Sequence, residues 1–124
     1  MGLTGVAAVV YAVLCGGIVV FQIALILGAP WGVYTQGGGI AGPLPTPRRA
    51  AAGLSGVLNM AMAAGILSAA GLAPGWPAWT GWAALAVTLL SCVLNGITRS
   101  RPERRLWFPV TGAMLALALI VMLA

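Results

Sequence analysis

Four apolar stretches, spaced along a chain of 124 residues, constrain this sequence more than any other feature: Thr4 to Gly28, Ala50 to Leu72, Ala78 to Thr98 and Leu106 to Ala124. At about 1.5 Å of helical rise per residue, each is long enough to cross the roughly 30 Å of hydrocarbon in a bilayer. Water is excluded as the main solvent, because 61% of the residues are apolar and 6% are charged, whereas soluble domains carry about a quarter charged residues. Backbone amides cannot be left bare in lipid, and no stretch shows the alternation of a barrel strand, so the four are helices. The links between them hold about 21, 5 and 7 residues. The two short links force antiparallel neighbours. The expected fold class is therefore all-α, an integral membrane four-helix up-and-down bundle forming one transmembrane domain over 1–124.

The first stretch has no basic residue ahead of it and exceeds the core of a signal peptide, so it is expected to stay as a spanning helix. Val6 stands where a myristoylation pattern needs Ser or Thr. Cys15 and Cys92 fall inside apolar runs and read as small packed side chains, neither a disulfide nor a metal pair.

All six basic residues are arginines in the first and third links: Arg48 and Arg49, then Arg99, Arg101, Arg104 and Arg105. The second link carries no charge. The positive-inside rule then puts links one and three in the cytoplasm and both termini outside, and the imbalance argues against dual topology. Clustered between apolar runs, these arginines suit anionic lipid headgroups, and nucleic acid is discounted as a partner. Trp31, Trp76, Trp79, Trp82 and Trp107 all fall near span ends and read as an aromatic belt. Pro109 is expected in the first turn of span four, where its missing N–H would have no helical partner.

Polar residues recur at steps of three and four inside the spans: Tyr11, Cys15 and Gln22; Ser55 and Asn59; Thr88, Ser91, Asn95 and Thr98. Such spacing gathers them on one face of each helix, and that face points inward because an amide in lipid loses its hydrogen bonds. Counted from the cytoplasmic boundary, Gln22, Ser55, Ser91, Asn95 and Thr111 fall roughly 6 to 12 Å deep and Asn59 about 15 Å deep. This candidate polar layer has two uses. The commoner is a set of interhelical hydrogen bonds fixing the register; the other is a small cavity open to the cytoplasm. Small residues at four-residue intervals, Ala8, Ala12 and Gly16, then Ala61, Gly65 and Ala69, permit close helix approach or a homodimer.

No acid or base lies inside any of the four stretches, which argues against proton relays and voltage sensors. With no His, no Asp and a single Glu, neither an enzymatic triad nor a metal centre is expected, and no cofactor is implied. Glu103 is expected to pair with Arg104 or Arg101 as a structural contact. In the first link, Gly28 and Pro30 read as a helix stop with Trp31 at the interface. Gly37 to Gly39 lack the Lys and Ser or Thr of a phosphate loop. The PLPTP segment reads as a stiff extended lead to Arg48 and Arg49, which snorkel at the start of span two. Its apolar residues, Tyr34 among them, favour a loop lying on the membrane face and folded back over Gln22. Trp31, Tyr34 and the six arginines are thus the candidate loop and lipid contacts.

GAPWG at 28–32, Gly37 and Gly38, Leu44 and Pro45, NGIT at 95–98 and SRPERRLWFPV at 100–110 together resemble a family of small four-span proteins from high-GC bacteria, actinobacteria in particular. The resemblance covers most of the chain. It implies topology and residence in a bacterial inner membrane, and it implies no activity. By motif it singles out Gln22, Gly28, Pro30, Trp31, Gly32, Gly37, Gly38, Pro45, Asn95, Glu103, Arg104, Trp107 and Pro109. Composition, topology and the polar layer lead to two expected functions. The first is a non-enzymatic accessory or scaffold subunit contacting anionic lipid, a membrane-protein partner or its own copies; the alternative is a small-solute channel or carrier using the polar layer.

Overall fold

The structure, a computed structural model, describes residues 2–124. It is all-helical: α1 spans Leu3–Ile26, α2 Thr46–Ala69, α3 Ala78–Ile97 and α4 Arg101–Met122, with two short 3₁₀ turns, Gly32–Tyr34 and Gln36–Gly38, between α1 and α2. Each long helix is long and apolar enough to cross a membrane, as expected of a multi-pass membrane protein. Helices adjacent in sequence pack side by side, and α1 closes the ring against α4. The result is an up-and-down four-helix bundle with the first and third links at one end.

Local signals explain the helix boundaries. α1 ends in a Schellman motif: Ala29 N–H donates to Ala24 C=O at 2.9 Å and Gly28 N–H to Leu25 C=O at 3.1 Å, with Gly28 at φ +99°. That left-handed position favours glycine, so the expected helix stop is present. α2 ends the same way around Gly71, at φ +82°.

Two helices begin earlier than hydropathy predicts. α2 starts at Thr46 with Pro47 in its first turn, so the extended lead ends at Pro45, at φ −69° and ψ 163°. Arg48 and Arg49 are therefore helical. α4 starts at Arg101, capped by Ser100, with Pro102 in its first turn. Pro109 consequently lies inside α4 and not in its first turn, a correction to the sequence reading. The first turns of both helices are polar, which hides them from a hydropathy window, while proline is tolerated there because those N–H groups lack intrahelical acceptors.

The half of the bundle away from the loops is tightly packed. Ala7, Ala8, Tyr11, Cys15, Ile18, Met62, Ile66, Ala84, Met114, Ala118 and Val121 form one buried cluster. Lipid tails are as apolar as these side chains, so close contact and buried hydrogen bonds supply the cohesion there. At Gly65, an added Cβ would stand 2.7 Å from Thr80 O, so α2 passes directly over the start of α3. Gly16 has nothing within 4 Å of such a Cβ and makes no close approach within the monomer. Tyr11 and Thr88, both buried, join α1 to α3 across the bundle with their hydroxyls 2.7 Å apart. Thr88 donates its own proton to Ala84 C=O, so Tyr11 is the donor of the pair.

Candidate functional site

Toward the loop end, side chains of all four helices and of the first link line a cavity of about 260 Å³. All six residues of the predicted polar layer line it: Gln22, Ser55, Asn59, Ser91, Asn95 and Thr111. Ile18, Met62, Thr88 and Met114 form its floor. One hydrogen bond between helices crosses the layer, and its other bonds stay within single helices. Gln22 Nε2 donates across to Ser55 Oγ at 3.2 Å, but Asn59 Nδ2 donates to Ser55 C=O in its own helix. Thr111 likewise donates to Trp107 C=O within α4. The side chains face a space, and Gln22 Oε1, buried, has no hydrogen-bond partner among the described residues.

The link between α1 and α2 folds back as a lid, and its Tyr34, Thr35 and Gln36 form part of the cavity wall. The lid closes on itself where Gly32 N–H donates to Gly42 C=O at 3.0 Å. An added Cβ at Gly32 would collide with Ile40 O, which is why that position takes glycine. Three contacts latch the lid to the start of α4. Ser100 Oγ donates to Val33 C=O at 2.6 Å, Trp107 Nε1 donates to Tyr34 C=O at 2.8 Å, and Gly37 N–H donates to Glu103 Oε2 at 3.1 Å. Gly38, at φ +70°, presses against Ser100, whose Cβ and Oγ would each lie 2.5 Å from an added Cβ. Phe21 packs between two tryptophans, stacked on Trp31 at 5.8 Å and edge-on to Trp107 at 4.8 Å.

Glu103 overturns one expectation. It does not pair with Arg104 or Arg101: Arg104 Nη1 donates to Thr98 C=O, and Arg101 is exposed. Glu103 is 7% exposed and lines the cavity. The cause is local. Ser100 and Glu103 stand as the first and fourth residues of a capping box, and Ser100 Oγ accepts Glu103 N–H at 3.2 Å. The reciprocal donor, Ser100 N–H, goes to Thr98 Oγ1, leaving the carboxylate to reach the lid.

The candidate lipid contacts divide. Arg48 and Arg49 bind the lid: Arg48 Nη1 donates to Gln36 C=O while Gln36 Nε2 donates to Arg48 C=O. Arg49 donates to Leu44 C=O at 2.7 Å and to Ile26 C=O at 3.3 Å, tying α1, the lid and α2 together. Arg99, Arg101 and Arg105 are exposed. Trp31 and Tyr34 keep 41% and 37% of their surface exposed while packing on Phe21 and lining the cavity, respectively. An open cleft of about 570 Å³ adjoins the cavity and shares Gln36, Ser91, Asn95 and Glu103 with it, with Arg99 at its edge.

Cavity-lining residues of the lid and of the start of α4 that lie outside the predicted polar layer are Tyr34, Thr35, Gln36, Glu103 and Trp107. Only Glu103 carried a local signal, the S-x-x-E pattern at a helix start. Compared with family models, curated proteins and solved structures, the chain matches none.

Proposed function

We propose that the protein binds a small polar solute in the capped cavity and carries it across the membrane. The observation that carries this reading is Gln22, a side chain 9% exposed whose Oε1 lacks a partner while its residue lines a solute-sized space. A buried acceptor left bare costs about 1–3 kcal/mol, which a donor on a bound solute removes. Ligand pockets for drug-sized molecules run from about 300 Å³ upward, so this volume suits something smaller. The packed floor below Thr88 and Met114 favours a carrier, opening to one side at a time, over a permanently open channel. Amides and hydroxyls beside one carboxylate favour binding over catalysis, so no enzymatic role is assigned.

An accessory or scaffold role draws on the exposed Arg99, Arg101 and Arg105, which suit anionic headgroups, a partner membrane protein or a second copy. It gives the cavity no purpose and ranks second. The arginine-bearing end, with the lid, is assigned to the cytoplasm by the positive-inside rule, with both termini outside, and the resemblance of the loop motifs implies a bacterial inner membrane. Labelling of Ala73→Cys in the second link tests this: reaction only from the cytoplasmic side overturns the orientation.

The test of transport is solute flux into proteoliposomes, followed by light scattering, with glycerol, propionamide and n-propylammonium chloride as probes. At least one should enter faster than into protein-free liposomes, and Gln22→Leu or Asn95→Leu should abolish the difference. Flux of all three indistinguishable from protein-free liposomes would refute the carrier reading.

A further inference from the structure

Resting on the reading of the cavity as a solute site, the geometry points to a small organic monocation bearing N–H donors, such as a primary ammonium, as its occupant.

The charge in the cavity is a single carboxylate. Glu103 is buried, and one of its oxygens is held by Gly37 N–H, which fixes the group at the cavity wall. None of the arginines lines the cavity. The guanidinium groups of Arg48, Arg49 and Arg104 are engaged by backbone carbonyls of Gln36, Leu44 and Thr98, and Arg99 stands in the outer cleft. Within the cavity no basic side chain faces this buried negative charge, the guanidinium that shares the outer cleft with it being that of Arg99, and one bound positive charge balances it there.

Hydrogen-bonding capacity points the same way. Gln22 Nε2 and Asn59 Nδ2 donate to Ser55, and the Thr111 hydroxyl donates to Trp107 C=O. Gln22 Oε1 is left as a buried acceptor without a partner among the described residues, and the Glu103 carboxylate has a second oxygen beyond the one that Gly37 N–H holds. An anion would meet the like charge of Glu103. An ammonium group, with three N–H donors and no acceptor, matches the set. Phe21 and Trp107 supply aromatic wall at the same level, which suits both an alkyl chain and a cation. The adjoining cleft, which shares Glu103 and Asn95 with the cavity, provides the approach.

Isothermal titration of the purified full chain in detergent micelles tests this with three probes of similar size: n-propylammonium, propionamide and propionate, at equal ionic strength. n-Propylammonium should bind at least tenfold more tightly than either of the others. Glu103→Gln keeps an oxygen for Gly37 N–H, so the lid contact survives while the charge is lost. It should weaken n-propylammonium at least tenfold and propionamide by a much smaller factor. Gln22→Leu, which removes the free acceptor far from the latch, should weaken n-propylammonium several-fold, and circular dichroism checks that both variants keep their helix content. Propionamide or propionate binding as tightly as n-propylammonium, or full n-propylammonium affinity in folded Glu103→Gln, overturns the cation assignment and leaves the solute site standing. Absence of binding by all three, together with absence of flux, overturns both.

Discussion

Replacing Ser100 by alanine should open the lid without unfolding the bundle. Its hydroxyl has two partners at once: it accepts Glu103 N–H at 3.2 Å, capping α4, and donates to Val33 C=O at 2.6 Å. Loss of a serine cap costs about 1 kcal/mol. Loss of a typical hydrogen bond costs about 1 kcal/mol more. The second falls wholly on the lid; the first reaches it through Glu103, whose carboxylate holds Gly37 N–H. A shift of one to two kcal/mol corresponds to about a 5- to 30-fold rise in the open fraction. Trp107 Nε1 to Tyr34 C=O, Gly37 N–H to Glu103 and the Arg48 and Arg49 contacts remain and keep the lid from detaching altogether. The assay is the rate at which a small methanethiosulfonate reagent modifies Thr111→Cys, with Cys15 and Cys92 replaced by alanine. Thr111 lines the cavity, is 5% exposed and bonds only within its own helix, so the reporter does not disturb the latch. Modification should speed up 5- to 30-fold in Ser100→Ala. An unchanged rate in a folded variant would show that this contact does not hold the lid.

The floor of the cavity gives an asymmetric pair: Tyr11→Phe leaves Thr88 bonded to Ala84 C=O and should cost about 0.6 to 1.7 kcal/mol. Thr88→Val strands the buried Tyr11 hydroxyl and should cost about 1–3 kcal/mol; equal losses on unfolding in denaturing detergent would contradict the donor assignment. Gly65→Ala drives a Cβ to 2.7 Å from the Thr80 carbonyl oxygen and should lose about 1–3 kcal/mol in the same measurement. Gly16→Ala, with open space around it, should lose nothing and serves as the control. Gly32→Ala collides with Ile40 O and approaches Gly42 O to 2.7 Å, so it should accelerate Thr111→Cys modification beyond the Ser100→Ala rate.

The helices and the polar layer were legible in the sequence for one physical reason, that lipid leaves an amide or hydroxyl nowhere else to point. Gln22, Ser55, Asn59, Ser91, Asn95 and Thr111 sit at helical spacings, and the structure brings all of them to one space. Glu103 was misread because its neighbours in sequence are arginines, whereas its neighbour in space is Gly37, 66 residues away. The first turns of α2 and α4 were assigned to links for a related reason: windows that average hydropathy discard charged turns, although proline and capping-box signals mark them as helix. The lid was legible only in outline. Its shape depends on Gln36 at φ +49°, on glycines at Gly37 and Gly38, and on bonds to residues more than 60 positions distant, none of which local pattern specifies.

The two halves of the bundle solve the membrane's packing problem differently, and that difference explains why a cavity can exist. Away from the lid, alanines and Gly65 bring backbones together, and the Tyr11 to Thr88 bond ties α1 to α3. Toward the lid, all four helices line the cavity, and cohesion comes from side chains that donate to backbone carbonyls: Arg49 to Leu44 and Ile26, Arg104 to Thr98, Ser100 to Val33, Trp107 to Tyr34. Guanidinium groups suit this task because their donors remain charged and spread over a rigid fork. The arginines that bias topology are thus partly the ones that hold the lid. Because those bonds lie around the rim and not across the axis, they stabilise the end of the bundle without filling its centre. Glu103 and Gln22 keep their open acceptors there.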